Sequence, residues 1–405
     1  MAVTNATPAA FRVRSLIPLS LVSASVGLAA ALAFPFLSLF LSQEVGASPL
    51  ALGTFLLVTP LASLVASTLL GRLSDARAVR RTLLIVGAVS GALGYGLYTV
   101  LRNYWLLLAV STTLVAVASS LLPQMFAYAR QVLERGGSTK APLIITGLRT
   151  LISLAWVVGP PLAAVLVAQT GFTGLFTTSA IAYGLVAVLA LRLPEVAAAP
   201  PVEEDAEPVV PGPEPRFLLP ALAFVLLQGG ISLGVVTLPL FVVEQLGGTT
   251  TDVGLIMGLC AALEIPLMLG FGVLSTKVDQ RKLVLGGAVV ALAYHGSMLL
   301  VQTTWQVAAA QVFSATVISA VMGIGISYFQ SLSPDRPGHA TTMFTNSATV
   351  ATMLAGPLLA VAQVLTYRTA YGMSLVMSVL GLVLLVLAKP RAVEQRENIP
   401  VATRT

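Results

Sequence analysis

The chain has 405 residues, of which 57% are hydrophobic and only 9% are charged, and its formal net charge is +6. A soluble globular domain carries about 25% charged residues, so this chain has too little charge to cover a folded surface in water. A mean hydropathy of +0.92 therefore indicates a membrane protein. One cysteine and two histidines exclude an intrachain disulfide and argue against a metal site.

Long apolar runs follow one another along the chain. A membrane-spanning helix needs about 20 such residues, and lipid offers no partners to an open backbone, so the runs must be helices. The first run is too long for a cleavable signal and is interpreted as a span. We predict twelve transmembrane helices, at residues 16–41, 50–71, 82–101, 104–127, 141–168, 172–191, 217–243, 251–274, 282–300, 304–330, 338–364 and 368–388.

The segment between the sixth and seventh predicted spans is rich in proline and acidic residues. Such a composition is typical of an unpacked linker, because it has little apolar surface to bury. It divides the chain into two halves of six spans each. The predicted domains are an N-terminal six-helix bundle over 1–193, an acidic linker over 194–215 and a C-terminal six-helix bundle over 216–405.

The basic residues predict the orientation of the spans. Of the 22 lysine and arginine residues, only Arg102, Arg149 and Arg368 lie outside the termini, the linker and the loops after spans two, four, eight and ten. Cytoplasmic loops of membrane proteins carry this excess of positive charge. We therefore expect a multi-pass protein with both termini in the cytoplasm. A nucleic-acid partner is not expected, because the basic residues are spread over every inner loop.

The two halves of the sequence repeat each other. Offsets of 201 and 197 residues bring the same loop and helix features of the second half into line with those of the first. Two six-helix halves with a substrate site between them are typical of a secondary transporter. The aligned features are Gly53–Arg81 with Gly254–Lys282, Gly159-Pro160 with Gly356-Pro357, and Arg149 with Asn346.

The loop Gly71–Arg81 resembles the signature of the major facilitator superfamily between spans two and three, and Gly159-Pro160 resembles the span-five motif of its exporters. Other stretches are similar to the bacterial sugar efflux transporters. These stretches are Pro123–Arg130, Ser153–Pro161, Leu263–Pro266, Tyr328–Gln330 and Ala340–Asn346.

The resemblance implies an all-α membrane protein with the fold of that superfamily, two pseudo-symmetric six-helix bundles in a bacterial cytoplasmic (inner) membrane. It implies export of small sugars such as lactose, glucose or related glycosides by proton antiport. The proton gradient would be the only coupling agent, with no cofactor, and we expect a monomer.

Only two charged residues lie deep within predicted spans, Arg149 in span five and Glu264 in span eight. A charge at the bilayer centre costs about 3 kcal/mol even on a lenient scale, so such residues are commonly functional. In the fold that the resemblance implies, these spans meet between the halves. We predict that both residues face a central cavity and pair directly or through substrate, with Glu264 as the proton-coupling acid. The alternative is a structural ion pair.

Sugar recognition needs hydrogen-bonding groups and an aromatic ring against the C–H groups of the sugar. Trp156 is two helical turns from Arg149 and shares its face. The alternative for each amide candidate is an interhelical hydrogen bond, and for Trp156 a packing role. The predicted substrate-binding residues are Asn346, Trp156, Gln124, Gln228, Gln330 and Tyr128.

The predicted gating residues are Asp75, Arg80, Arg81 and Arg130, which lie at inner helix ends. Their alternative role is membrane orientation alone.

Three other functions compete with sugar export. Multidrug efflux would need a larger, mostly apolar cavity. A membrane enzyme acting on lipid-linked substrates would need a catalytic or metal-binding constellation, and the sequence shows none. A sensor would need an attached soluble domain. The sequence also lacks the glycine-rich loop of nucleotide-driven transporters.

Overall fold

The computed structural model describes residues 16–135, 141–195, 215–334 and 336–388. The regular secondary structure in these ranges is helical, without a strand. The predicted linker at 194–215 lies, apart from its ends, outside the described residues, as do both termini.

Ten helices of the described residues are long and apolar enough to cross a membrane. One of them, Leu143–Ala190, divides into two helices at Gly171, which has a φ of +67° and non-helical geometry. A further helix of 19 residues, Arg80–Tyr98, is not among the ten. The described residues contain the predicted twelve helices when the helix that is broken at Gly171 is counted as two and Arg80–Tyr98 is included. Without these two additions the count is ten.

The helices are numbered here in chain order. They are α1 Ile17–Gln43, α2 Pro49–Ala76, α3 Arg80–Tyr98, α4 Tyr104–Leu133, α5 143–170, α6 172–190, α7 Phe217–Gln245, α8 Thr250–Leu274, α9 Gln280–Leu300, α10 Thr304–Leu332, α11 Pro337–Leu365 and α12 Tyr367–Leu387.

Short turns join the helices on the side that the basic residues predict to face away from the cytoplasm, called the outer side below. The turns after α1 and α7 are equivalent. Gly46 and Gly247 adopt φ values of +64° and +69°, a conformation that glycine enters without steric cost. Ser48 and Thr249 then cap the next helices by accepting hydrogen bonds from backbone N–H groups. Local sequence thus encodes the same hairpin twice.

Each half packs mainly within itself. In the first half α1 packs on α5 and α3 on α6, and in the second half α7 packs on α11 and α12. The halves join along two crossings, α2 with α11 and α5 with α8. Glycines at these crossings bring the helix backbones close together, as small residues do in membrane proteins.

The buried cores show on which side the halves meet. One cluster, the outer core, contains residues of both halves, such as Phe40, Phe55, Phe241 and Tyr371. On the inner side the buried residues form two separate clusters, one built from the first half alone and one from the second. The structure is therefore closed between the halves on the outer side and parted on the inner side.

Candidate functional site

A cavity of about 120 Å³ lies where α5 of the first half meets the second half. It has room for several water molecules, since one water needs about 10–15 Å³ by this measure. Its walls come from α5, α7, α8, α9 and α10. The lining residues are Trp156, Pro160, Ile231, Gly234, Val235, Leu238, Met257, Cys260, Ala261, Glu264, Tyr294, Gln311, Ser314, Val317 and Ile318.

Glu264 supplies the acidic group of the cavity. It follows Met257 and Cys260 on α8 at helical spacing, so the three side chains share the face that lines the cavity. The Cys260 thiol lies 3.5 Å from Glu264 Oε1 and 3.6 Å from Ser314 Oγ. The carboxyl group therefore begins a string of polar groups that leads from the junction of the halves into the second half.

Polar side chains of α9 and α10 form the wall behind Glu264. Gln311 and Ser314 lie one turn apart on α10, and Tyr294 of α9 lines the cavity together with them. Just beyond them α10 contains the π-helix Ser319–Gly323, an irregularity that is often found at functional sites. There the Ser319 hydroxyl group donates to the Glu264 backbone oxygen at 3.4 Å. The wall offers amide and hydroxyl groups to a ligand.

The first half contributes an aromatic ring. Trp156 of α5 is half-buried and lines the cavity. Its ring meets Phe34 of α1 edge to face, with a centroid distance of 6.2 Å, and this contact restrains its orientation. The cavity thus has an indole ring on one wall and amide, hydroxyl and carboxyl groups on the other.

The repeat does not extend to the acid. At the offset of 201 residues, Ser63 stands in the first half where the second half has Glu264, and Thr59 stands in place of Cys260. The backbone contact is repeated, because Ser119 Oγ donates to the Ser63 backbone oxygen at 3.4 Å. The two halves therefore share a helix crossing, and only the second half carries a titratable group there.

Arg149 and Glu264 do not form the predicted direct pair, since no ion pair joins these two described residues. The Arg149 guanidinium lies instead over the Phe126 ring, 5.3 Å from its centroid. Arg149 is exposed and shares a helix face with Trp156, about 10 Å further inward at 1.5 Å per residue. It lies on the inner approach to the cavity in this conformation.

Two other predicted residues differ in exposure. Gln228 of α7 is 2% exposed, and neither its Nε2 nor its Oε1 has a hydrogen-bond partner. It lies one turn inward from the lining residue Ile231 on the same face. Asn346 of α11, the counterpart of Arg149, is exposed and is not part of the cavity lining.

Three predicted substrate-binding residues bond to neighbouring segments. The Gln124 amide donates to the Leu70 backbone oxygen and to Ser74 Oγ, both at 3.2 Å. The Tyr128 hydroxyl group donates to the Pro194 backbone oxygen at 2.8 Å, and Gln330 Nε2 to Thr341 Oγ1 at 3.1 Å. For the two glutamines these contacts match the alternative of interhelical hydrogen bonds, and the structure does not bring any of the three residues to the cavity.

The predicted gating residues lie at inner helix ends. Arg80 is buried and donates to Asp75 Oδ1 at 2.6 Å. Arg81 donates to the backbone oxygens of Ala190 and Leu191, at 3.3 and 2.6 Å, and so holds the end of α6. These contacts stay within the first half. Arg130 is exposed at the inner end of α4.

Sequence reasoning missed four polar residues of the cavity, Cys260, Tyr294, Gln311 and Ser314. A signal was available on two helices. Cys260 precedes Glu264 by four residues, and Gln311 and Ser314 are three apart, so each pair falls on one helix face. Nothing in the sequence alone places Tyr294 beside them, because that contact joins α9 to α10.

Comparisons with known proteins agree with this architecture. The family model of the Major Facilitator Superfamily matches residues 19–355 and 220–404. The solved structure of the nucleoside transporter NupG has a TM-score of 0.74 at 14% identity and covers 92% of this chain and 98% of its own. At that identity the likeness concerns the fold.

Closer relatives are found among curated proteins. A protein of Deinococcus radiodurans is 36% identical over 360 residues, which are 87% of this chain and 92% of its own. Sugar efflux transporter C of Escherichia coli is 34% identical over 340 residues, which cover 83% and 86%. Sugar efflux transporter B of Salmonella typhimurium is 34% identical over 367 residues, which cover 89% and 92%. This chain therefore belongs to the major facilitator superfamily and, within it, to the bacterial sugar efflux transporters.

Proposed function

We propose that this protein exports small sugars or glycosides, such as lactose or glucose, across the bacterial cytoplasmic membrane in exchange for protons. The observation that carries the proposal is the place of Glu264, the acid of a cavity that also presents Trp156 and Gln311. Sugar binding needs the ring and the amide, and antiport needs a titratable group that shares their cavity. Both termini lie in the cytoplasm in this proposal.

The conformation supports loading from the inside. The two halves share a core on the outer side and are parted on the inner side, so a sugar reaches the cavity from the cytoplasm. Rocking of the halves, which separates the α2–α11 and α5–α8 crossings at their outer ends, then exposes the cavity to the outer solution. A proton taken up there by Glu264 and released inside completes the cycle.

Counterflow in proteoliposomes tests the proposal. Labelled lactose and glucose added outside should accumulate inside the proteoliposomes in exchange for an excess of unlabelled internal sugar. An imposed pH gradient should drive net sugar movement. A second candidate is drug efflux, which the aliphatic side chains Ile231, Val235, Leu238 and Met257 of the cavity favour. A labelled hydrophobic cation is therefore assayed in parallel, and accumulation of that cation without sugar would contradict the proposal.

The single cysteine allows a direct test of sugar binding. Cys260 lines the cavity, so a bound sugar should shield its thiol from a membrane-permeant maleimide. At a sugar concentration ten times Kd about one tenth of the sites stay open, and labelling should slow about tenfold. The measurement is the labelling rate of purified protein, with Cys260→Ser as the blank. A transported sugar that leaves the rate unchanged would place its binding elsewhere.

Removing the indole ring should weaken sugar binding. We expect Trp156→Ala to raise the Kd about fivefold, because a ring contact contributes about 1 kcal/mol. The measurement is the sugar concentration that half-protects Cys260. Trp105→Ala is the matched control, since Trp105 is 72% exposed on α4 and should leave the Kd unchanged. Equal Kd values for the two variants would argue against a ring platform.

A further inference from the structure

The outer ends of α1 and α7 carry polar contacts between the two halves. The Ser38 hydroxyl group donates to the Val236 backbone oxygen at 2.8 Å. One turn further out, Ser42 Oγ donates to Glu244 Oε1 at 2.9 Å. Glu244 Oε2 accepts a second hydrogen bond at 2.5 Å, from the Tyr367 hydroxyl group at the start of α12. The Glu244 carboxylate is thus held by one donor from each half.

Glu244 lies in irregular backbone and is exposed to solvent, as expected of a residue at a contact that opens and closes. Glu244 lies in the π-helix Phe241–Gln245 that ends α7, and π-helices are frequent at functional sites. The residue is exposed, so protons of the outer solution reach it directly. Glu264, in contrast, lies in the cavity and is reached from outside only when the outer side opens.

The other charged groups on the outer side are bound within their own half. Glu44 accepts from Arg102 at 3.0 Å in the first half, and Asp252 accepts from its own N-cap residue Thr249. Arg368 donates to the Leu299 backbone oxygen and lies over the Phe241 ring. Among the described residues, Glu244 is therefore the outer acid whose partners come from both halves.

We propose that Glu244 is the outer gate residue, and that binding of a proton from the outer solution releases the contact between the halves there. This inference rests on the proposed alternating access. An ionised carboxylate accepts from both hydroxyl groups, and charge-assisted bonds of this kind are stronger than neutral ones. A protonated carboxyl group has an O–H donor where one acceptor stood, so the closed contact loses strength. The proton returns to the outer solution when the gate closes again.

The experiment measures opening of the outer side in intact cells. Cys260→Ser removes the native thiol, and Ala163→Cys places a reporter in the buried outer core. A membrane-impermeant thiol reagent is added outside at an outer pH of about 8 and of about 4, around the range where carboxyl groups titrate. Rates are compared between proteins at the same pH, because thiol reactivity itself depends on pH.

We expect Glu244→Gln in this background to label about threefold to tenfold faster than the background alone at the higher pH. At the lower pH, where more carboxyl groups carry a proton, the difference between the two proteins should be smaller. Ser42→Ala, which removes the donor of the first half, should also label faster at the higher pH. Glu44→Gln is the matched control and should label like the background at both pH values.

Equal rates for Glu244→Gln and the background at both pH values would overturn the proposal, and so would a difference that is as large at the lower pH as at the higher. The readout contains no sugar, and at each outer pH the compared proteins experience the same pH gradient across the membrane. If the labelling shows no effect of Glu244 but sugar counterflow is normal, only this inference is contradicted. If the labelling shows a pH-dependent gate but sugar counterflow is absent, only the proposed substrate is contradicted.

Discussion

Glu264→Gln should abolish sugar export that is driven by a pH gradient and leave sugar counterflow in place. Glutamine keeps the size of the side chain and its ability to hydrogen-bond, but it cannot take up and release a proton. The contacts to Cys260 and through it to Ser314 concern packing and binding, so the sugar site should survive. Only the coupled step should be lost.

The position of Glu264 explains why the effect should be large. It is a charged residue deep in a predicted span, where an ionised group without a partner costs several kcal/mol, so such residues are commonly functional. Arg149, the cation predicted to pair with it, lies over Phe126 instead, and at the aligned position the first half has Ser63. No equivalent group of the first half could replace Glu264, so driven export should fall to background.

The measurement uses one set of proteoliposomes for both assays. Net sugar movement is followed with and without an imposed pH gradient, and counterflow is followed with equal pH on both sides. Glu264→Asp keeps a titratable group and should retain part of the driven movement. Glu44→Gln removes an outer acid that binds Arg102 within one half and should change neither assay. Driven export by Glu264→Gln at the parent rate would exclude Glu264 as the coupling residue.

Much of the fold could be predicted because lipid imposes simple rules on a sequence. The predicted spans agree with the helices to within a few residues at most ends, as for 251–274 against Thr250–Leu274. Length, hydropathy and the turn residues Gly46 and Gly247 define such helices locally. The break at Gly171 was also expected between the fifth and sixth spans.

Less of the site could be predicted, because a helix face is ambiguous until its neighbours are known. Glu264 and Trp156 were expected at the cavity and line it. Gln124, Tyr128 and Gln330 had the same polar signal, but they bond to neighbouring segments. Their backbone and side-chain partners are distant in sequence, so no spacing rule separates a ligand-binding amide from a structural one.

The repeat itself also conceals equivalences. Arg102 donates to the Tyr98 backbone oxygen and lies over Phe40. Arg368 does the same with Leu299 and Phe241, which stand 201 residues after Tyr98 and Phe40. The two arginines are not aligned by either offset, since one follows α3 and the other begins α12. Arg102 and Arg368 therefore occupy equivalent positions in the structure but not in the sequence. Alignment of the two halves does not detect this equivalence.

Enlarging the glycines of the two crossings should hold the outer side open and stop transport. A Cβ atom on Gly53 of α2 would lie 2.6 Å from the Ala360 Cβ atom and 2.9 Å from the Gly356 backbone oxygen of α11. On Gly254 of α8 it would lie 2.6 Å from the Pro160 backbone oxygen and would also meet the Ala164 side chain of α5. Backbone atoms cannot move away by a rotamer change as a side chain can. The added side chains therefore raise the free energy of the outer-closed state.

The free-energy cost of this overpacking gives the expected shift between the outer-closed and outer-open states. Overpacking a close contact costs about 1–3 kcal/mol, and the two crossings are separate, so their costs should add. At about 1.4 kcal/mol per tenfold, Gly53→Val and Gly254→Val together should shift the ratio of outer-open to outer-closed protein by about 30-fold to 20,000-fold. Each half packs within itself, so the variant should still insert and fold.

Labelling of the native Cys260 reports this shift without any added cysteine. A membrane-impermeant thiol reagent applied outside intact cells should label the double variant at least about tenfold faster than the parent, while sugar counterflow falls to background. Gly270→Val on α8 is the matched control, because a Cβ atom there meets nothing within 4 Å, and it should behave like the parent. A double variant that reaches the membrane in normal amount and still transports sugar, or whose Cys260 stays unlabelled from outside, would show that these crossings do not close the outer side.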